Sequence, residues 1–393
     1  LGLERVLLPN AFWEEMGFVY LGPLDGHNIR DLEAALTRAR DFESKPVIIH
    51  VLTVKGKGYP AAEDDAVKYH GLSPSVTANE NSPSSYSQVF GQTIQRLMRE
   101  NPKIVAISAA MLDGTGLASA AAEFPQRVID VGICEQHAVT MAAGLAAQGF
   151  LPVVAVYSTF LQRAYDQIIH DVCLPGLPVV FAIDRAGIVG EDGATHQGAF
   201  DISYLSAIPN IVVSAPKDEN ELQHLLYTAL NANRPMAVRF PRGNGQGAVL
   251  DSELHSLEIG QAEVLQDGDH LAILAIGSTV YPAWQAAKLL KNEGLDCAVI
   301  NARFAKPLDS KTILEYANKC GRLVTVEENA LAGGFGSAVQ ELLTRNGINL
   351  SRIECIGLPD RFIEHGSQAL FRAKFDLDAA GIIRRIKYAW PEL

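Results

Sequence analysis

Short apolar runs alternating with helix-period stretches constrain this chain more than any other feature. Pro46 to Leu52 is a continuous apolar run flanked by breakers. A strand buried on both faces of a parallel sheet reads this way. The pattern returns at Ile104–Ser108, Arg127–Val131, Pro152–Tyr157, Pro178–Ile183, Ile211–Ser214 and Met236–Phe240. Helical stretches lie between most of these, such as Ala164–Asp171 and Glu219–Leu230. The pattern restarts near residue 259 with Leu271–Ile276, Cys297–Asn301, Leu323–Glu327 and Ile353–Ile356, separated by helices that include Tyr281–Asn292 and Phe335–Leu343. Such alternation predicts a doubly wound, mostly parallel sheet, here twice. The expected fold class is α/β: two doubly wound, mostly parallel-sheet domains preceded by part of a third α/β domain. In that first part Phe18–Gly22 and Pro46–Leu52 are strands, and Asp25–Asn28 caps the helix between them. Residues 61–88 are polar, with Pro74, Pro83 and a Ser/Asn-rich patch, and residues 245–258 are Gly-rich and polar. They divide the chain into 1–82, 83–250 and 251–393.

At 393 residues the chain exceeds one ordinary core. Hydrophobic residues at 48% against 20% charged fit a globular protein. No apolar run reaches the roughly 18–20 residues that a membrane helix needs. The formal net charge of −12 argues against a nucleic-acid partner, since such affinity rests on neutralising phosphates. Cys134, Cys173, Cys297, Cys320 and Cys355 are scattered, odd in number and form no CxxC pair. Reduced thiols and a cytoplasmic setting are expected. The N-terminal LGLERVLLPNAFWEEMG has neither a basic start nor a signal core and reads like the middle of a protein.

Residues suited to chemistry gather just beyond strand ends, where open α/β sheets bind ligands. Asp130–Thr140, DVGICEQHAVT, passes from strand through Gly132 into a helix, with Glu135 at the changeover. Helix N-terminal amides stabilise negative charge there, although by position alone an ordinary first-turn acid is the commoner reading. Tyr157–Arg163 follows one strand, Asp184–Gly190 and the polar loop Asp192–Gly198 the next, and Phe240–Asn244 a later one. Arg163, Arg185 and Arg242 are thereby expected to converge on one sheet edge, where guanidinium groups can grip a phosphate or carboxylate. Nearby histidines offer proton transfer. Lys55, among alternating glycines and lysines after a buried strand, suits an anion, yet such a turn is commonly just solvated. A lone histidine such as His70 is more often a surface residue than a catalyst. There is no P-loop, no GxGxxG opening a helix, no GxSxG and no zinc-ligand spacing. Gly333–Ser337 before a helix either binds an anion or, as favoured here, permits tight strand-to-helix packing.

These residues together resemble the transketolase-type thiamine-diphosphate enzymes and, more narrowly, the 1-deoxy-D-xylulose-5-phosphate synthase family. The motifs are GPLDGHN (22–28), TVKGKGYPAAEDD (53–65), KYHG (68–71), YSTFLQRAYDQ (157–167), DRAGIVGEDGATHQGAFD (184–201), RFPRGNG (239–245) and NARFAKPLD (301–309). The resemblance implies that the central and last domains are the pyrimidine-binding and C-terminal domains of that type. It assigns Glu135 to N1′ of the aminopyrimidine and Phe160 to the stack upon it. Lys55 and His70 fall on the cofactor side, near the diphosphate and the reacting centre. Ile133 and Arg163 are grouped with the cofactor as well. Tyr157, Arg163, Arg185, Asp192, His196 and Arg242 match substrate-site positions, with Arg185 and Arg242 on the acceptor's phosphate and His196 and His70 for proton transfer or orientation. The implied reaction joins pyruvate to D-glyceraldehyde 3-phosphate with loss of carbon dioxide, and feeds isoprenoid, thiamine and pyridoxal precursors. The implied cofactors are thiamine diphosphate and Mg²⁺, and the implied assembly is a homodimer. IIHDVC (168–173) is worded like cyanobacterial or plastid members.

One departure bears on activity. Such enzymes hold Mg²⁺ and the diphosphate through a GDG motif followed by an asparagine, and Asp267-Gly268-Asp269 lies in the wrong domain for it. The chain is therefore expected to be a fragment lacking most of the diphosphate-binding domain and its metal ligands, and inactive by itself. The alternatives are a split transketolase, the β-type subunit of a 2-oxo acid dehydrogenase, or a non-catalytic binding or regulatory protein. The segment from GPLDGHN to KYHG argues against the dehydrogenase subunit, and the retention of Glu135, Phe160, His196 and the arginines against a pure binding module.

Overall fold

The computed structural model describes residues 11–66, 69, 83–348 and 353–393. The chain forms two compact units, residues 1–80 and 81–393. In the first, β1 (Val19–Asp25) and β2 (Val47–Leu52) pair in parallel, joined by the helix Ile29–Arg40. Asn28 caps that helix by accepting from the amides of Arg30 and Asp31, and Arg38 and Arg40 close its last turn, as the helix dipole favours. After β2 the His27 Nε2 accepts the Val54 amide at 2.7 Å, pinning the start of the glycine–lysine turn.

The second unit holds two sheets. The larger has the order β12-β7-β8-β6-β5-β3-β4. Its strands are β3 (Ile104–Ser108), β4 (Val128–Asp130), β5 (Leu151–Tyr157), β6 (Val180–Asp184), β7 (Val212–Ser214), β8 (Met236–Arg239) and the antiparallel edge strand β12 (Phe304–Lys306). All the others run parallel. The smaller has the order β14-β13-β10-β11-β9. Here β10 (Leu271–Ala275), β11 (Cys297–Asn301), β13 (Leu323–Ala330) and β14 (Ile353–Leu358) are parallel, and β9 (Glu263–Gln266) is antiparallel. This is the expected α/β architecture.

Strand alternation sorts the core. In β3, Val105 and Ile107 enter one apolar cluster, Ile104 and Ala106 another, because successive side chains face opposite sides of a sheet. The first cluster continues without a break from β3, β5 and β6 into Ala272, Leu274 and Ile300 of the smaller sheet.

Three sequence expectations change. The sequence reading contains neither β9 nor β12. Ala164–Asp171 is not one helix: Ser158–Leu161 is α-helical, Gln162–Ala164 a 3₁₀ turn, Tyr165–Gln167 α-helical and Ile168–Cys173 a π-helix. The Gly-rich stretch after β8 is not slack, since the buried Glu219 carboxylate accepts the amides of Gln246, Gly247 and Ala248 at 2.7–2.9 Å.

Candidate functional site

The site lies at the carboxyl edge of the larger sheet. The chain runs from β3 to β4 on one side and then crosses to β5 on the other, so Glu135 and the residues after β5 flank the point where strand order reverses. Glu135 opens the helix Glu135–Ala147 and is 2% exposed. Its Oε1 accepts from Arg163 Nη1 at 3.0 Å. Among the described residues its Oε2 carries no hydrogen bond.

Phe160 links the two halves of the site. It stacks on Tyr157 at 5.9 Å, lies 5.5 Å from the Arg163 guanidinium and meets the His196 ring edge-on at 5.3 Å. Thr195 Oγ1 lies 2.9 Å from His196 Nδ1, and Thr159 Oγ1 donates to the Thr195 carbonyl at 3.0 Å. Those bonds fix the imidazole and leave Nε2 without a hydrogen bond among the described residues.

On the other side of Tyr157, the Arg185 guanidinium packs 4.0 Å from the ring centre and donates to Asp192 Oδ2. Arg242 lies 3.6 Å from the same Asp192 oxygen and donates to the Val189 carbonyl at 3.0 Å. Burial raises the Tyr157 hydroxyl pKa, and the Arg185 charge works against that rise. Gly114 is required beside this ring, because a Cβ there would stand 1.7 Å from the Tyr157 hydroxyl.

The structure thus brings together Glu135, Phe160 and Arg163, then His196 and Tyr157, then Arg185, Asp192 and Arg242. The three arginines divide between two partners. Arg163 pairs with the Glu135 carboxylate, while Arg185 and Arg242 share Asp192. Ile133 is 75% exposed. Lys55 is exposed in the first unit, and His70 lies outside the described residues. The anion alternative for Gly333–Ser337 is also excluded. The Glu327 carboxylate already accepts the Phe335 and Gly336 amides at 2.7 and 2.8 Å, so the helix N-terminus is satisfied from within the chain. Asp267 and Asp269 pair with Lys319 at 2.6 and 2.9 Å.

Several supporting residues escaped the sequence reading. Asp201 binds Arg239 at 2.9 Å and Ser158 at 3.0 Å. Glu328 pairs with Arg372 at 3.1 and 3.3 Å. Asp184 accepts from Ser87 at 2.7 Å. A groove of about 370 Å³, lined in part by Thr159, Gln162, Thr195, Phe200 and Phe362, borders the His196 loop. His224, Asp251 and His255 also cluster, but His224 is already committed. Its Nδ1 accepts the His255 amide at 3.3 Å, so its Nε2 must carry the proton it shares with Asp251 at 2.8 Å.

Fit to thiamine diphosphate can be tested on the pyrimidine half of the site. A buried carboxylate with one uncommitted oxygen, beside an aromatic face, matches the hydrogen-bonding edge and the flat ring of an aminopyrimidine. The residues fit.

Comparison with known proteins agrees. Residues 82–247 match the family described as transketolase, pyrimidine binding domain, residues 260–382 transketolase, C-terminal domain, and residues 2–53 1-deoxy-D-xylulose-5-phosphate synthase. A solved structure described as split gene transketolase, inactive beta4 tetramer, is 30% identical with a TM-score of 0.70, covering 79% of this chain and 99% of that one. A Pichia stipitis transketolase at 19% identity and TM-score 0.62 shares the fold. The fold is that of the transketolase type, a class of thiamine-diphosphate-dependent transferases.

Curated relatives narrow the class. 1-Deoxy-D-xylulose-5-phosphate synthases of Dehalococcoides mccartyi and Geobacter sulfurreducens are 59% and 54% identical over 98% and 97% of this chain. The chain belongs to the 1-deoxy-D-xylulose-5-phosphate synthase family. It spans about 60% of the length of these relatives. Both are bacterial, and neither supports a cyanobacterial or plastid source. No helix among the described residues is long and apolar enough to cross a membrane.

Proposed function

We propose that this chain supplies the pyrimidine-binding and acceptor-binding parts of a 1-deoxy-D-xylulose-5-phosphate synthase, which condenses pyruvate with D-glyceraldehyde 3-phosphate and releases carbon dioxide. The observation that carries the reading is the single row from the buried Glu135 through Phe160, with His196 at its edge, and Tyr157 to the Arg185–Asp192–Arg242 cluster. Bound thiamine diphosphate would supply the nucleophilic carbon and the electron sink that decarboxylation needs.

The chain's own residues then have distinct tasks. Glu135 Oε2 would hold the aminopyrimidine ring nitrogen through a shared proton, while Arg163 keeps Oε1 occupied and so fixes which oxygen is free. Phe160 offers its ring to the pyrimidine. Tyr157 separates that face from the arginine cluster and holds Arg185 in place. Arg185 and Arg242 bind the acceptor's phosphate through charge-assisted hydrogen bonds, and Asp192 must yield its contact with them for the phosphate to enter. His196 Nε2 exchanges a proton with the acceptor oxygen. Lys55, Ile133 and His70 belong to the cofactor side of the same proposal. The diphosphate and Mg²⁺ would be held by the part of the relatives' length that this chain does not span, so the chain alone is expected to be inactive.

The proposal includes the division into 1–82, 83–250 and 251–393, supported by the extents of the family matches. It also includes a homodimer, which the resemblance implies, and a bacterial cytoplasm, for which the bacterial relatives are the support.

The test uses the protein built to the full length of its curated relatives. Glu135→Gln should lower turnover by about a hundredfold or more without moving the melting temperature, and unchanged turnover would remove its assigned role. Arg242→Ala should raise KM for D-glyceraldehyde 3-phosphate well above any change in KM for pyruvate. Equal effects on both would contradict phosphate recognition.

A further inference from the structure

The helix Gln368–Lys374 belongs to the smaller-sheet half of the second unit, yet its side chains reach two loops of the larger sheet. Gln368 Nε2 donates to the Ile188 carbonyl at 2.7 Å and to the Arg242 carbonyl at 3.2 Å. Ile188 is in the loop that follows β6 and carries Arg185 and Asp192; Arg242 is in the loop that follows β8. One amide group therefore ties the two arginine-bearing loops together. Arg372, one turn further along the same helix face, pairs with Glu328, whose Oε1 accepts the Ile188 amide at 3.2 Å. Both backbone polar groups of Ile188 are thus held from this half of the unit.

Close packing makes the brace specific. Gly190 has φ +89°, and a Cβ there would lie 3.0 Å from both the Gln368 backbone nitrogen and the Gly366 carbonyl oxygen. Gly243, next to Arg242, passes so near that a Cβ would lie 3.5 Å from Gln368 Oε1. The side chains that face the arginines directly, Tyr157 and Asp192, fix the guanidinium of Arg185. At the strand ends the Ala186 amide already donates to the Phe240 carbonyl at 3.0 Å; farther along the loops, besides Gln368, the contacts joining the Arg242 segment to the Arg185 loop are those of Arg242's own guanidinium, on Val189 and Asp192.

We propose that Gln368 is a positioning residue for acceptor phosphate: it sets the separation of the Arg185 and Arg242 loops, so that both guanidinium groups reach one phosphate. The inference rests on the reading of those arginines as the phosphate site. It predicts a selective effect. A bidentate grip on a dianion depends steeply on the spacing of its two donors, whereas pyruvate and an unphosphorylated aldehyde do not use that grip.

The experiment compares Gln368→Met, which keeps the length of the side chain but cannot donate, with Gln368→Asn, Arg242→Ala and the parent, all at the full length of the curated relatives. KM and kcat are measured for pyruvate, D-glyceraldehyde 3-phosphate and unphosphorylated D-glyceraldehyde. Gln368→Met should raise KM for the phosphorylated acceptor about tenfold and leave kcat, KM for pyruvate and KM for the unphosphorylated acceptor within twofold. Gln368→Asn, which keeps the donor on a shorter arm, should recover part of that loss.

Other outcomes separate the two ideas. If Arg242→Ala is selective for the phosphorylated acceptor and Gln368→Met is not, the brace is wrong and the phosphate site stands. If Arg242→Ala is not selective either, the phosphate site itself is wrong, and the inference falls with it. A uniform loss across all three substrates in Gln368→Met would show a general structural role and overturn the proposal.

Discussion

Arg185 sits at φ 56°, left-handed backbone that costs a side-chain-bearing residue about 1–2 kcal/mol. Its neighbours hold it there. The Ala186 amide donates to the Phe240 carbonyl at 3.0 Å, and Gly187 and Gly198 exchange hydrogen bonds at 2.7 and 2.8 Å. The strained turn aims the guanidinium across the Tyr157 ring toward Asp192, an instance of strain kept where a site needs a particular direction. Asp184, just before it, is 1% exposed. Burial pushes its carboxyl from the ordinary 3.8 up to about 7, against hydrogen bonds from the Ser87 hydroxyl and the Arg185 amide. Below about pH 4 the group is protonated in both folded and unfolded chains. Between about pH 4 and 7 the unfolded chain ionises while the folded one keeps its proton, so stability falls as pH rises through that window and levels off above it. Asp184→Asn removes the titration. The unfolding free energy of the variant, relative to the parent, should therefore rise by roughly 4 kcal/mol between pH 4 and pH 8. Urea unfolding at pH 4, 6 and 8 reads this directly, and a constant difference across the series would rule it out.

At the scale of single elements, β12 has the largest influence for its size. Three residues, Phe304-Ala305-Lys306, leave the smaller sheet after β11 and pair antiparallel with β7 of the larger one. Phe304 is fully buried in the cluster formed by the helices Tyr86–Glu100 and Glu219–Asn231. Lys306 Nζ donates to the Ser206 carbonyl at 2.9 Å, at the end of the helix Asp201–Ser206. Phe304→Ala should destabilise the second unit by about 3–5 kcal/mol, measurable as a shift in denaturant midpoint at unchanged slope. A shift under about 1 kcal/mol would mean that the strand is not held by its aromatic anchor. The same elements show what sequence can convey. The strands β3, β5, β6, β10 and β11 were legible because burial on both faces leaves no choice but an unbroken apolar run. β12 is too short to carry a period, and β9, Glu263-Val264-Leu265-Gln266, mixes polar and apolar residues as an edge strand does. The residues between Ser158 and Cys173 keep helical composition while the turn widens to a π-helix, which no 3.6-residue pattern reports. In the site, Glu135, Arg185 and Arg242 were legible from their places after strands. Asp201, Glu328 and Gln368 were not, because each meets its partner through contacts set by the fold and far away in sequence.

At the scale of the second unit, the two sheets share one body. Beyond the continuous apolar cluster, buried charges join them. Arg303 Nε donates to Glu221 at 2.6 Å, and Asn301 donates to the same carboxylate at 2.9 Å. Lys217 lies 3.1 Å from Glu263 and 3.5 Å from Glu221. Removing either half would strand charges that are costly to leave unpaired away from water. Residues 81–393 should therefore unfold in one transition. With Trp13→Phe silencing the first unit, the fluorescence of Trp284 and Trp390 reports the smaller sheet, and far-UV circular dichroism reports the whole. Coincident curves are expected, and a fluorescence change at lower denaturant would show that the sheets unfold separately. The shared edge also has a practical consequence. A chain ended at the Gly-rich stretch near residue 250 would lose β12 and bare β7 as an unpaired rim beside the pocket that Phe304 fills. A naked edge of that kind recruits other chains. Such a piece should precipitate or form strand-exchanged oligomers.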